Sequence, residues 1–189
     1  MLRDLILKNR SHRRFHQAAV IPRSTLEELV DLARLSPSGG NMQALKYVLS
    51  CDSTKNDRIF AQLAWAGYLK EWPGPVEGER PSAYIIILGD KTIVESFGCD
   101  HGIAAQSIML GATEMGLHGC MIGSIKREEL RASLNIPAHY EILLVIALGK
   151  AKETVVLENV DLSGNIRYWR DAEGVHHVPK RALSDIIIG

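Results

Sequence analysis

The segment from Asp100 to Leu117 constrains the fold of this chain more than any other. Ile103, Ala104, Ala105, Ile108, Met109, Leu110, Ala112 and Met115 are spaced so that, on a helix, they cover most of its circumference. A helix apolar nearly all round must be buried nearly all round. In a chain of 189 residues, such burial is expected to need a second subunit as well as the chain's own sheet. Two apolar stretches supply that sheet. Tyr84 to Leu88 is a continuous apolar run with β-branched residues, which suits a strand buried on both faces, and Ile142 to Leu148 is the second.

Around these lie weaker signals. Leu2, Leu5, Ile6 and Leu7 give residues 2–8 an apolar helical face. Ser24, three residues before Glu27, reads as a capping box, with Leu26, Leu29, Val30 and Ala33 following at helical spacing. That helix must end before Pro37, because a proline pushes the preceding residue out of the helical region. Tyr47 to Leu49 reads as a strand. Arg58 to Leu69 reads as a helix, broken at Trp72-Pro73-Gly74-Pro75. A strand at Cys120 to Ile122 and a helix over Arg127 to Leu134 follow, with short strands at Val155 to Leu157 and Ile166 to Trp169.

Helices and strands interleave without regular βαβ units. The expected class is therefore α+β, a mixed sheet sandwiched by helices, and not a doubly wound fold. With no internal repeat and no low-complexity linker, residues 1–189 are expected to form a single domain, with Pro73 to Pro81 a surface excursion.

Charge narrows the function. The 22 Lys and Arg balance 22 Asp and Glu, which argues against a nucleic-acid partner held through phosphates. Charges at Arg3 and Asp4 fall where a secretory signal would be apolar, and no run approaches the ~20 apolar residues of a membrane span. A cytoplasmic protein with no membrane partner is expected. Cys51, Cys99 and Cys120 are odd in number and lack CxxC spacing, so they read as reduced thiols. His176 and His177, adjacent on an extended chain, point to opposite faces and suit no metal. GxGxxG, P-loop and GxSxG signatures are absent.

Four segments can carry chemistry. The first is Arg10-Ser11-His12-Arg13-Arg14, within a stretch of 23 residues that holds six basic side chains and one acidic one. Arg10, Ser11 and Arg13 can converge guanidinium and hydroxyl donors on one anion, and the planar arginine fork meets two phosphate oxygens at once. A solvated basic face is the alternative. The second is Ser36-Pro37-Ser38-Gly39-Gly40-Asn41-Met42-Gln43, whose small residues let a ligand approach the backbone, or simply make a turn. The third, Gly119 to Gly123, can lay backbone N–H groups against a flat ligand or serve as a tight connection. The fourth is Pro179-Lys180-Arg181, a phosphate contact or ordinary surface charge.

In order, these segments, the Asp-led apolar helix running into Gly116-Leu117, and the strand ending Ala147-Leu148-Gly149 resemble the nitroreductase family over nearly the whole chain. The resemblance implies a homodimeric α+β fold in which the long apolar helix lies at the interface. It implies two FMN sites built from both subunits, and a hydride passed from NAD(P)H through flavin N5 to a small electron acceptor such as a nitroaromatic or a quinone. Arg10, Ser11 and Arg13 would hold the phosphate and ribityl chain, with Lys180 and Arg181 completing the clamp. Pro37, Ser38, Asn41 and Gln43 would lie along the ribityl chain and ring, partly from the other subunit. Met121, Ile122 and Gly123 would face the ring near N5.

The flavin carries the chemistry in such a family, so no catalytic side chain is assigned. Trp65, Tyr68 and Trp72 line the acceptor pocket or belong to the core. Two positions depart from many relatives: Asn9 stands where an arginine is common, and Ala44-Leu45 where Pro-Trp or Pro-Phe follows the glutamine. The alternatives are a flavin-binding module without turnover, or a dehalogenating or flavin-fragmenting relative.

Overall fold

The computed structural model describes residues 1–189. Helices α1 (Leu2–Lys8), α2 (Arg23–Leu35), α3 (Ser53–Phe60), α4 (Asp100–Glu114) and α5 (Arg127–Leu134) alternate with strands β1 (Leu45–Ser50), β2 (Ala83–Asp90), β3 (His118–Ile122) and β4 (Tyr140–Gly149). Three short strands follow: β5 (Val155–Asn159), β6 (Trp169–Arg170) and β7 (His176–Lys180). The main sheet runs β1-β2-β4-β3 with every pairing antiparallel. Among the named strands, parallel pairing occurs between β5 and β7 of the small sheet β5-β7-β6.

All eight residues of β2 are buried, as its continuous apolar run requires. Ala83, Ile85 and Ile87 face one layer with Leu26 and Leu29 of α2 and Ala105 and Ile108 of α4. Tyr84, Ile86 and Leu88 face the other, with Ile59 of α3 and Leu130 of α5. The sheet is thus sandwiched by helices. Seven of the 15 residues of α4 are buried within the chain: Ala104, Ala105, Ile108, Met109, Gly111, Ala112 and Thr113. Gly102 and Gln106 stay exposed, and Ile103 and Leu110 are half-buried.

Several local expectations fail for identifiable reasons. The box at Ser24 does not form: Pro22 occupies the cap position with φ −68° and ψ 153°, no side chain caps the helix, and Glu27 instead accepts from Arg23 Nε at 2.8 Å. The helix expected over Arg58 to Leu69 ends at Phe60. It begins at Ser53, capped by Asp52, whose carboxylate accepts from Lys55 N at 2.8 Å. Beyond Phe60 the backbone finds partners elsewhere: Ala64 N donates to Ser124 O at 3.0 Å, and Lys126 N donates to Gln62 O at 2.9 Å. Tertiary pairing overrides helical spacing there. The strand expected at Ile166 to Trp169 is confined to Trp169–Arg170, and β7 went unpredicted.

Two glycines let the N-terminal segment lie against the sheet. Ser11 forms a parallel bridge to Gly119, where a Cβ would sit 2.5 Å from Ala147 O and 3.0 Å from Met109 Sδ. At Gly149 a Cβ would meet the Phe15 ring at 2.7 Å. The segment is pinned further by His12 N to Gly119 O at 2.9 Å, His16 N to Lys150 O at 2.8 Å and Lys152 N to Arg14 O at 2.9 Å. Residues 11–16 therefore run as an irregular strand between β3 and the exit of β4.

Candidate functional site

That segment opens onto two cavities, of about 360 Å³ and about 200 Å³. Arg13, Met121 and Tyr168 line both, so the two meet at these residues. The larger is lined by Asn9, Arg10, Ser11 and Arg13 from the N-terminal segment, Gln106 and Met109 from α4, and Tyr168, His176, Val178 and Lys180 from the C-terminal region. The smaller lies against residues 120–124, with Trp65, Ala66 and Gly67 opposite. No aspartate or glutamate lines either one.

The two arginines that face this groove keep their charge free. Arg10 Nη2 donates to Ile6 O at 2.7 Å, and its Nε is buried without a partner. Arg13 Nη1 donates to Ser11 O at 3.3 Å and lies 3.1 Å from His176 Nε2, while its Cζ sits 4.8 Å over the Tyr168 ring. Neither pairs with a carboxylate. Arg14 does the opposite: its Nε and Nη2 meet both oxygens of Glu79 at 2.6 and 2.7 Å. Lys152 adds a contact at 3.0 Å, and Arg14, with Lys152, holds the Glu79 carboxyl down at about 2. Of three neighbouring arginines, one is spent on a carboxylate and two have no carboxylate partner.

A buried carboxylate organises the cationic end. Glu153, whose side chain is 1% exposed, accepts from the backbone N–H groups of Arg13 and Arg14 and from Arg170 Nη2 at 2.8 Å. It therefore fixes the backbone from which Arg13 projects while spending its charge on Arg170. His12, behind the segment, packs edge-on against His118 with centroids 4.5 Å apart. Burial, with His118 adding to it, pushes the His12 imidazole down to about 4, so it is a neutral packing group at ordinary pH.

The small sheet that carries Lys180 and His176 has its own latch. His177 Nε2 lies 3.0 Å from Asp171 Oδ2, its Nδ1 meets the Glu158 carboxylate, and its ring stacks on Trp169 at 4.0 Å and 8°. The hydrogen bond to Asp171 and the contact with Glu158 raise the imidazole above its ordinary value. A raised folded-state value gives stability that is complete below the unfolded value of about 6.5 and is lost as pH rises through the higher folded one. The melting temperature of the wild type is accordingly expected to fall toward that of His177→Gln as the pH is raised through this window. Parallel melting curves for the two proteins would contradict the latch.

Of the residues singled out from the sequence, Arg10, Ser11, Arg13, Met121, Ile122, Gly123 and Lys180 converge on the groove. Arg181 is exposed and lines neither cavity. Pro37, Ser38, Asn41 and Gln43 line a separate cavity of about 160 Å³, beside Tyr47 and Asp100. There Asp100 holds the loop, accepting from Ser38 Oγ and Gly39 N at 2.9 Å each. Asn41 and Gln43 have φ of 54° and 52°, a left-handed conformation uncommon for residues with side chains. Trp65 lines the smaller cavity, whereas Tyr68 packs on Tyr168 at 4.9 Å and Trp72 lies under Arg170 at 4.7 Å. Glu153, Tyr168 and His176 were not found from the sequence. The alternation of His176 and His177 across a strand was readable, but not that one of them meets Arg13.

Comparison with known proteins follows the same outline. The nitroreductase family model matches residues 6–150. The Bacillus subtilis (strain 168) protein named "Putative NAD(P)H nitroreductase YodC" is 23% identical over 181 residues, covering 78% of this chain and 88% of that one. A nitroreductase family protein from Streptococcus pneumoniae TIGR4 superposes with a TM-score of 0.70 at 14% identity, over 100% of both chains. An FMN-dependent nitroreductase from Clostridium difficile R20291 superposes at 0.64 with 22% identity, over 78% of this chain and 86% of that one.

Proposed function

Because the chain belongs to the nitroreductase family, we propose that it is an FMN-dependent NAD(P)H oxidoreductase acting on a small electron acceptor such as a nitroaromatic or a quinone. One observation carries this reading. The groove has a cationic end, with Arg10, Arg13 and Lys180, that contains no carboxylate and joins a narrower end walled by Met121, Ile122 and Gly123. A ligand with an anionic tail and a flat body fits that arrangement, and the unpartnered Arg10 Nε marks a donor still in want of an acceptor.

The chemistry that FMN supplies when bound is hydride uptake at N5 from NAD(P)H and hydride delivery to the acceptor. The chain's own part is to bind and orient. Arg10, Arg13 and Lys180 provide charge for the phosphate, and Ser11 provides a hydroxyl beside them. The backbone of residues 121–123 supplies one wall, and Trp65 bounds the acceptor side. No protein group needs to form a covalent bond in this scheme, and the protons that a nitro group or quinone takes up with the hydride come from water.

The reading includes a homodimer. Within one chain Ser38, Asn41 and Gln43 line a different cavity from Arg13, so a second copy is what would bring such a loop to the groove. Leu2, Ile6 and Leu7 of α1 are exposed beside the half-buried Ile103 and Leu110 of α4, which offers an apolar face for that copy.

The test is anaerobic mixing of the FMN-loaded protein with NADH and with NADPH. The yellow absorbance should bleach with at least one and return when a nitroaromatic or quinone is added. A protein that gains no thermal stability from FMN would exclude every flavin reading. Retention of FMN without bleaching by either nucleotide would point to a flavin-binding module without turnover.

A further inference from the structure

We propose that His176 is a positioning residue that acts through Arg13 to make the cationic cavity select ligands ending in a phosphate; the assignment rests on the flavin-nucleotide reading above. The strand that carries it, β7, lies beyond the residues matched by the family model. His176 lines the cationic cavity and is 1% exposed.

Guanidinium nitrogens have no acceptor capacity, so in the 3.1 Å contact Arg13 Nη1 donates and His176 Nε2 accepts. That assigns the proton to Nδ1 and leaves the ring neutral. The surroundings enforce the neutral form. Arg13 and Arg170 both lie near enough to oppose a second charge, and the one nearby carboxylate, Glu153, is taken up by Arg170 and two backbone N–H groups. Burial first, then Arg13, pushes the imidazole down to about 4.

A neutral acceptor here does what a charged one cannot. It orients one edge of the guanidinium while Tyr168 supports the face from 4.8 Å, yet it leaves the positive charge unspent. A carboxylate in the same place would orient Arg13 equally but neutralise it. The Nδ1–H of His176 also has no acceptor within the chain. The consequence is selectivity: the benefit of a pre-oriented, uncompensated Arg13 falls on the phosphate end of a ligand and not on its flat body.

FMN and riboflavin differ only in that phosphate, so their affinities isolate the effect. The experiment is titration of the flavin-stripped full chain with each, followed by flavin fluorescence, with melting temperatures recorded for every variant. The wild type should bind FMN on the order of 100-fold more tightly than riboflavin. His176→Phe should lower the FMN affinity roughly 10-fold or more while riboflavin affinity changes by less than about threefold. His176→Gln, whose Oε1 can accept from Arg13, should restore the preference, whereas the similarly shaped His176→Glu should abolish it by spending the arginine's charge.

A preference unchanged in His176→Phe, or equal loss for both ligands, would overturn the assignment. So would equal preference in the Gln and Glu variants, a comparison that holds even if the Phe variant does not fold. A wild type that fails to prefer FMN would instead remove the flavin-nucleotide reading, and this assignment with it.

Discussion

Glu153→Ala is expected to cost about 3–5 kcal/mol of folding stability, the usual loss when one member of a buried ion pair is deleted. At roughly 2–4 °C per kcal/mol for a chain of this size, the melting temperature should fall by about 6–20 °C. The size follows from what is left behind. Arg170 loses its only carboxylate, and the backbone N–H groups of Arg13 and Arg14 lose their shared acceptor in a site where water has little access. Glu153→Gln should fall between, because its carbonyl can still accept the two N–H groups while its amide opposes Arg170. A thermal melt of the three proteins checks the series. An alanine variant within about 1 kcal/mol of wild type would mean that the N-terminal segment does not depend on this residue.

Arg13→Ala carries the second large effect, on binding. A hydrogen bond to a charged group contributes about 1.5–3 kcal/mol, so removal of this side chain should weaken FMN roughly 10- to 150-fold. Riboflavin, with no phosphate, should change by less than about threefold. The effect should shrink in high salt, since part of it is attraction between exposed charges. Arg14→Ala serves as the contrast. That side chain is spent on Glu79 at 2.6 and 2.7 Å, so its loss should lower stability without altering the ratio of FMN to riboflavin affinity. If Arg13→Ala leaves FMN affinity unchanged, the groove does not hold a phosphate.

Much of the core was legible because burial leaves a local mark. The run Tyr84 to Leu88 and the stretch Ile142 to Leu148 are the central strands β2 and β4, and the Asp-led apolar segment is α4. Spacing misled where backbone bonds went to distant partners. Residues 62–64 had helical spacing but pair with 124–126, and Ser24 had the residues of a box but follows a proline that already starts the helix. Strand β7 reads as His-His-Val-Pro-Lys, without the alternation of a half-buried strand, and its partner β5 lies about 20 residues earlier in a parallel pairing.

The site divides in the same way. Arg10, Ser11 and Arg13 were conspicuous as a local excess of basic charge. Which arginines stay free was not, because that depends on Glu79, 65 residues from Arg14 along the chain. Glu153 and His176 likewise gain their roles only through contacts 140 and 163 residues away from Arg13. No spacing rule reaches that far.

The most direct measurement is a crystal structure of the protein with FMN. The account predicts the phosphate beside Arg10, Arg13 and Lys180, the ring along residues 121–123, and Ser38 to Gln43 of a second copy closing the groove. FMN in the separate cavity of about 400 Å³ that Tyr84 and Arg80 line, or a ring held with its phosphate turned away from Arg13, would contradict it.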